Sequence, residues 1–175
     1  MSQIQYFQPE RLLVVGDLFH SRENKELDLF LRWREDFPDL GIRLVLGNHD
    51  ILHESWYAAA GIALTEGELR IGPFAFIHDI GEVSTAVTRE QLYYFSGHLH
   101  PGIRINGMGR QSLQFPCFYF GTAYAILPAF GRFTGTVSID PGEESNVFAI
   151  LPPAGPARTA EGLKEYRTAS ILQIQ

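Results

Sequence analysis

The chain has 175 residues, of which 45% are hydrophobic and 19% are charged, a composition typical of one globular domain (residues 1–175) with a sizeable core. A formal net charge of −6 excludes a generally basic surface that would bind nucleic acid through many phosphates, although bound divalent cations would add positive charge locally. The single cysteine, Cys117, cannot form an internal disulfide, and no signal peptide or apolar run of the roughly 20 residues that cross a bilayer is present. We therefore expect a soluble cytoplasmic protein without a membrane partner, and we expect Cys117 to be buried and inert.

The first predicted elements are a strand, a helix and a second strand. Residues 11–16 contain a short apolar run that predicts a strand buried on both faces. Residues 23–37 carry apolar side chains at helical spacing, with Ser21 as a candidate cap, and Pro38 ends this helix. Residues 42–46 predict the second strand, parallel to the first and reached by a right-handed connection.

The second half of the chain is rich in short β-type runs separated by Gly and Pro. The predicted strands are residues 69–71, 74–77, 92–95, 103–105, 115–120, 136–139 and 147–150. A parallel start followed by mostly antiparallel strands predicts an α/β (α+β) fold of two stacked mixed sheets flanked by helices. Residues 152–175 are expected to form a loose tail, in which residues 166–174 are either a last strand or irregular.

Most of the histidines lie in three polar sequences, each following a predicted strand. The three are Gly16-Asp17-Leu18-Phe19-His20, Gly47-Asn48-His49-Asp50 and Gly97-His98-Leu99-His100, and the strand at residues 74–77 runs into His78 in the same way. Loops at the carboxyl ends of strands bring distant side chains together in layered α/β folds. Each sequence alone is more often a simple turn or a pair of surface imidazoles, but their joint occurrence favours a metal site. Neither His20 nor His53 occupies a position that the motif spacing requires, and we expect His53 to be a surface residue.

The donor types indicate which ion such a site would take. Carboxylate, amide and imidazole ligands suit manganese, iron or zinc better than calcium, and the lack of clustered cysteines argues against a structural zinc site. Asp17 has two oxygens with which to bridge two metals, and Asn48 offers a neutral amide oxygen. The sequence therefore predicts a catalytic divalent metal.

The order of these motifs over residues 11–140 resembles the calcineurin-like metallophosphoesterases. Residues 16–21, 116–121 and 127–135 are further similar to the bacterial ligase-associated DNA-damage-response phosphoesterases, an endonuclease subgroup. The resemblance implies an αββα sandwich and a phosphodiesterase acting on nucleotides or nucleic acid in DNA repair, with manganese as the first choice of metal and iron, zinc or nickel as alternatives. It also implies a ligase or helicase as partner. The acidic net charge and the absence of a Lys/Arg cluster in the sequence argue, in turn, for small or single-stranded substrates.

The resemblance assigns a role to each motif residue. Asp17 would bridge two metals, His100 would belong to the first metal site, and His49, supported by Asp50, would assist the leaving oxygen after in-line attack of hydroxide on phosphorus. The residues that would complete the second site are Asn48, His78 and His98.

The chain departs from the family in its first ten residues, which contain neither Asp nor His, whereas the family opens with Asp-x-His on a first strand. We therefore predict that the second metal site is well formed and that the first, which includes His100, is weak or absent. An absent segment beside the first strand would expose an edge or an apolar face that favours self-association. The chain is interpreted as truncated; a segment supplied by another polypeptide and a natural single-metal variant are the alternatives.

Two other functional classes stay open on the sequence alone. His-x-His also occurs in amidohydrolases and metallo-β-lactamases, but its late position and the Pro101-Gly102 that follows do not fit those patterns. The non-enzymatic alternative is a metal-binding module of a DNA-repair assembly. Arg104 and Arg110 could contact phosphate, but two exposed arginines on a hairpin are more often simply solvated, and we do not include them in the predicted site.

Overall fold

The structure is a computed structural model that describes residues 2–20, 25–83, 92–107, 111–131, 134–152, 157–158, 164–165 and 170–174. It contains two compact units, Met1–His98 and Leu99–Gln175. The organisation of residues 1–175 as one domain stays a prediction. No helix among the described residues is long and apolar enough to span a bilayer.

The first unit begins with alternating helices and parallel strands. These elements are α1 (Ser2–Phe7), β1 (Arg11–Val15), α2 (Lys25–Glu35), β2 (Gly41–Val45), α3 (Glu54–Ala59) and β3 (Ile62–Thr65). The strand order is β1-β2-β3, with both pairs parallel, which confirms the predicted parallel pairing of the first two strands. Leu44 and Tyr57 are buried in the core that α2 and α3 form with this sheet. The sheet therefore gives β1 and β2 a common carboxyl edge.

The prediction of a fully buried first strand was wrong. Arg11 in β1 is exposed and the other four residues are only half-buried, whereas Leu44 and Val45 of β2 are completely buried. The reason is position in the sheet, since β1 has one described neighbour, β2, and β2 lies between β1 and β3. An apolar run does not distinguish a central strand from one at the end of the order.

The rest of the first unit is a second group of strands. It comprises β4 (Leu69–Ile71), β5 (Phe74–Ile77), a short 3-10 helix (Ile80–Glu82) and β6 (Tyr93–Ser96). β4 and β5 pair antiparallel, whereas β5 and β6 run parallel. Alternate residues of β5 and β6, such as Ala75 and Tyr94, are buried as the period of a strand requires. The parallel pair ends at His78 on one strand and at Gly97 on the other.

The second unit is built from strands. They are β7 (Pro101–Asn106), β8 (Ser112–Phe120), β9 (Tyr124–Ile126), β10 (Val137–Ser138), β11 (Asn146–Leu151), β12 (Ala157–Arg158), β13 (Lys164–Glu165) and β14 (Ser170–Gln173). β8 pairs antiparallel with β7, β9 and β11, while β10 joins β7 in parallel. Cys117 on β8 is buried as predicted, and burial raises the pKa of its thiol to about 11, so it stays protonated at neutral pH. β14 pairs with β11, which places a strand within the residues 166–174 that the sequence left open.

Most predicted elements are present with shifted ends, and a few were missed. The helix predicted at residues 23–37 occupies Lys25–Glu35, while its candidate cap Ser21 lies outside the described residues. Strand β3 and helix α3 were not predicted, since they follow one another within twelve residues and neither has a long periodic pattern. The missed β3 completes the parallel sheet.

Candidate metal centre

Four strand ends of the first unit supply the polar residues of the site. Asp17 follows β1, Asn48 follows β2, His78 follows β5 and His98 follows β6. Parallel strands end at the same edge of their sheet, and this explains why β1 and β2 present their loops side by side. The structure thus brings together four of the predicted metal ligands.

The donor atoms of these side chains converge around the imidazole of His78. Its Nε2 lies 3.0 Å from Asn48 Oδ1 and 3.1 Å from His98 Nδ1. Asp17 Oδ2 is 3.4 Å from the same nitrogen, and ligating atoms of Asp17, His78 and His98 lie within 4.8 Å of one another. His78 is buried, so its Nε2 meets these donor atoms at a position shielded from bulk water. Oxygen and imidazole donors gathered in this way fit a divalent metal ion.

Asp50 binds the backbone of the loop that carries Asp17. Its Oδ2 accepts hydrogen bonds from the amides of Asp17 at 2.7 Å and Gly47 at 2.9 Å. Its Oδ1 accepts from Leu18 at 2.8 Å and from Phe19 at 3.3 Å. Asp50 therefore ties the loop after β1 to the loop after β2.

Asp17 returns a hydrogen bond to the second loop. Its Oδ1 accepts from the amide of His49 at 2.9 Å, which leaves Oδ2 directed towards His78. We call this pair of opposed contacts, Asp50 to the Asp17 amide and Asp17 to the His49 amide, the carboxylate clasp. It fixes which oxygen of Asp17 faces the other donors.

Two residues of the site have a strained backbone, and the clasp contacts one of them, Asp17. Asp17 has φ of 52° and His98 has φ of 54°, values that cost a non-glycine residue about 1–3 kcal/mol each. Such conformations persist where surrounding contacts determine them and are concentrated at functional sites. The strained residues here are two of the proposed ligands.

Glycines permit the close approach of these loops. An added Cβ at Gly16 would lie 1.8 Å from His78 Nδ1, and one at Gly47 would lie 2.3 Å from Asp17 Oδ1. A Cβ at Gly97 would lie 2.6 Å from the carbonyl oxygen of Val15. The glycines before Asp17, Asn48 and His98 are thus required by the lack of space for a side chain, whereas the sequence analysis took them only as turn signals.

Replacing Gly47 with alanine is expected to weaken metal binding at least about tenfold, because the new methyl group would displace the Asp17 carboxylate, as loss of a supporting contact does at metal sites. Titration with Mn²⁺ measures the effect. Gly135→Ala is the matched control, since a Cβ there meets no atom of the described residues within 4 Å. Equal Mn²⁺ affinity in both variants would contradict the crowding argument.

His49 and His20 form an exposed pair beside the clasp. Their rings stack with centroids 5.2 Å apart and an interplanar angle of 29°. The sequence predicted a role for His49 but none for His20, because no spacing rule places the two residues side by side. The described contacts of the Asp50 carboxylate are to backbone amides, and its support of the His49 ring stays a prediction.

The remaining predicted residues fall in other places. His53 is exposed as expected, and its Nδ1 accepts from the Ser55 amide as the N-terminal cap of α3. His100 has φ of 47° and belongs to the second unit, and its role as a metal ligand stays a prediction. Arg104 on β7 is exposed, while Arg110 lies outside the described residues.

Asp79 is a residue of the site that the sequence reading did not consider. Its Oδ2 lies 3.8 Å from His98 Nε2, and its Oδ1 accepts from the Gly81 amide at 2.8 Å. With Glu82 it lines the cleft into which Asn48, His78 and His98 open. The sequence feature that could have identified Asp79 was its position directly after His78.

The fold is mixed α/β, with strands in sheets flanked by a few helices, and it is consistent with a metallophosphoesterase-like sandwich. Among solved structures, the crystal structure of Pseudomonas putida nuclease MPE is similar to this chain, with a TM-score of 0.69 and 28% sequence identity. The match covers 85% of this chain and 72% of that one. No protein-family model and no curated protein matches the sequence.

Proposed function

We propose that this protein is a metal-dependent phosphoesterase that hydrolyses phosphodiester bonds of nucleotides or nucleic acid. The observation that carries the proposal is the convergence of Asp17, Asn48 and His98 donors on His78 Nε2 at strand ends. The likeness to a nuclease at 28% identity supports the same reaction class. A role in DNA repair, with a ligase or helicase partner, rests on the subgroup resemblance and is the narrower part of the proposal.

The protein's own side chains would hold one divalent cation, with manganese as the first choice. Such an ion, when bound, would act as a Lewis acid and would lower the pKa of the water that it holds, which makes hydroxide available near neutral pH. Asp17, Asn48, His78 and His98 supply the donors. His100 is proposed as a ligand of the first metal site, which would be the weaker of the two.

His49 is proposed to donate a proton to the leaving oxygen. Its ring is exposed at the rim, while its own amide is hydrogen-bonded to Asp17 Oδ1 at 2.9 Å. The backbone of the general acid is thereby fixed to a metal ligand, and the two groups keep a set separation during the reaction. The stacked His20 ring restricts the directions that the His49 ring can take.

The charge around the site favours small or single-stranded substrates. Asp79 and Glu82 add negative charge to the cleft, and the chain as a whole carries a net charge of −6. A duplex would bring many phosphates against a chain of net negative charge, which repels them. A short or flexible strand can place one phosphodiester at the metal and direct the rest away.

Metal removal tests the proposal. After chelation, hydrolysis of bis-p-nitrophenyl phosphate and of single-stranded DNA is expected to fall to background and to return with Mn²⁺, while duplex DNA is cut more slowly. An Asp17→Asn variant purified in the same way excludes contaminating phosphatases. Tight Mn²⁺ binding without hydrolysis of any of these substrates would favour the non-catalytic module, and no binding and no hydrolysis would contradict both functions.

A further inference from the structure

His98 lies between the proposed metal ligands and an acidic side chain. Its Nδ1 is 3.1 Å from His78 Nε2, whereas its Nε2 is 3.8 Å from Asp79 Oδ2. The two ring nitrogens of one imidazole thus have different surroundings. Nδ1 faces the donor cluster and Nε2 faces a carboxylate.

Asp79 is itself held in a fixed orientation. Its backbone is extended, and its Oδ1 caps the 3-10 helix by accepting from the Gly81 amide at 2.8 Å. Because one oxygen is engaged in the cap, the other is the oxygen that faces His98. The carboxylate is therefore presented to the imidazole by a local element of the backbone.

Packing alone does not determine the orientation of the His98 ring. The side chain is 40% exposed and its residue has a left-handed φ of 54°, in contrast to the buried His78. A half-exposed imidazole can rotate and can carry its proton on either nitrogen. Both choices then depend on the groups that face the ring, which are His78 at Nδ1 and the carboxylate of Asp79 at Nε2.

We propose that Asp79 is a positioning residue for His98. It stabilises the tautomer with the proton on Nε2 and so leaves the Nδ1 lone pair directed at the cluster. Histidine ligands commonly direct their second nitrogen to a carboxylate in this way. At 3.8 Å the contact is electrostatic rather than a full hydrogen bond, and its effect is a preference for one tautomer. The consequence for metal binding rests on the proposed function, whereas the tautomer itself does not.

Three variants distinguish this positioning role of Asp79 from its role as a helix cap and from a general effect of negative charge in the cleft. Asp79→Asn preserves volume, and with its amide oxygen on the Gly81 cap it turns an NH₂ group towards His98 Nε2, so it should reverse the tautomer preference. Asp79→Ser keeps a capping oxygen but cannot reach His98. Glu82→Gln is the matched control, because it removes one charge from the same cleft, and the described contacts of His98 do not include Glu82.

Two measurements on the full chain decide the proposal. Long-range ¹H–¹⁵N spectra of the metal-free protein, recorded at alkaline pH, should show His98 protonated on Nε2 in the wild type and largely on Nδ1 in Asp79→Asn. Mn²⁺ titration should show about tenfold weaker binding for Asp79→Ser and at least that loss for Asp79→Asn. Glu82→Gln should stay within about threefold of the wild type.

The same tautomer in Asp79→Asn as in the wild type would overturn the proposal, as would equal Mn²⁺ affinity of the Asp79→Asn and Glu82→Gln variants. If the wild-type protein binds no Mn²⁺, the proposed function fails, and the tautomer comparison still decides the role of Asp79.

Discussion

Replacing Asp17 with asparagine is expected to abolish metal binding and turnover while the fold is retained. The amide oxygen of asparagine can still accept the His49 amide, so the loop keeps its position. The amide nitrogen then takes the place of Oδ2 and directs hydrogen atoms at His78 Nε2, which removes the carboxylate from the donor set. Since loss of a partner that only supports a ligand costs about 10–100-fold, loss of this ligand should exceed about 100-fold.

The measurement is Mn²⁺ titration together with hydrolysis of bis-p-nitrophenyl phosphate, with thermal unfolding of the metal-free protein as the check on the fold. Asp39→Asn makes the same chemical change at an exposed loop position and should leave all three unchanged. Wild-type affinity in Asp17→Asn would remove Asp17 from the metal site. A lower unfolding temperature in metal-free Asp17→Asn would instead show that the loop had not kept its position.

Asp50→Asn is expected to impair both stability and metal binding. The Asp50 carboxylate accepts four backbone amides, two on each oxygen. In either orientation of the asparagine amide, two of these amides face an NH₂ group, and each unsatisfied buried donor costs about 1–3 kcal/mol. Because the site is only partly buried, water offsets some of this cost, and we expect a loss of about 2 kcal/mol or more in the free energy of unfolding.

Urea unfolding without metal and Mn²⁺ titration test this prediction separately. If Asp50 only assisted proton transfer from His49, its replacement would slow turnover without lowering stability. Unchanged stability and unchanged Mn²⁺ affinity, with turnover alone reduced, would therefore favour the catalytic role of Asp50 over the clasp. Asp39→Asn serves again as the surface control.

Much of this protein could be predicted from local patterns. The runs at residues 42–46 and 74–77 predicted β2 and β5 because an apolar strand bounded by Gly or Pro is a local signal. Polar residues directly after strands predicted which side chains would gather, since parallel strands deliver their carboxyl ends to one edge. Asp17, Asn48, His78 and His98 follow from these two rules, and the structure places them together.

The sequence by itself determined most of the elements and the donor types, whereas the tertiary structure decided how each donor is oriented. Asp50 binds amides 31 to 33 residues away and Asp79 faces His98 across two strands, so no local spacing reveals either contact. The half-exposure of β1 likewise depends on its neighbours in the sheet and not on its own apolar run. The physical reason is that chain-local forces fix backbone periodicity, while the atom that a polar side chain faces depends on packing between segments distant in sequence.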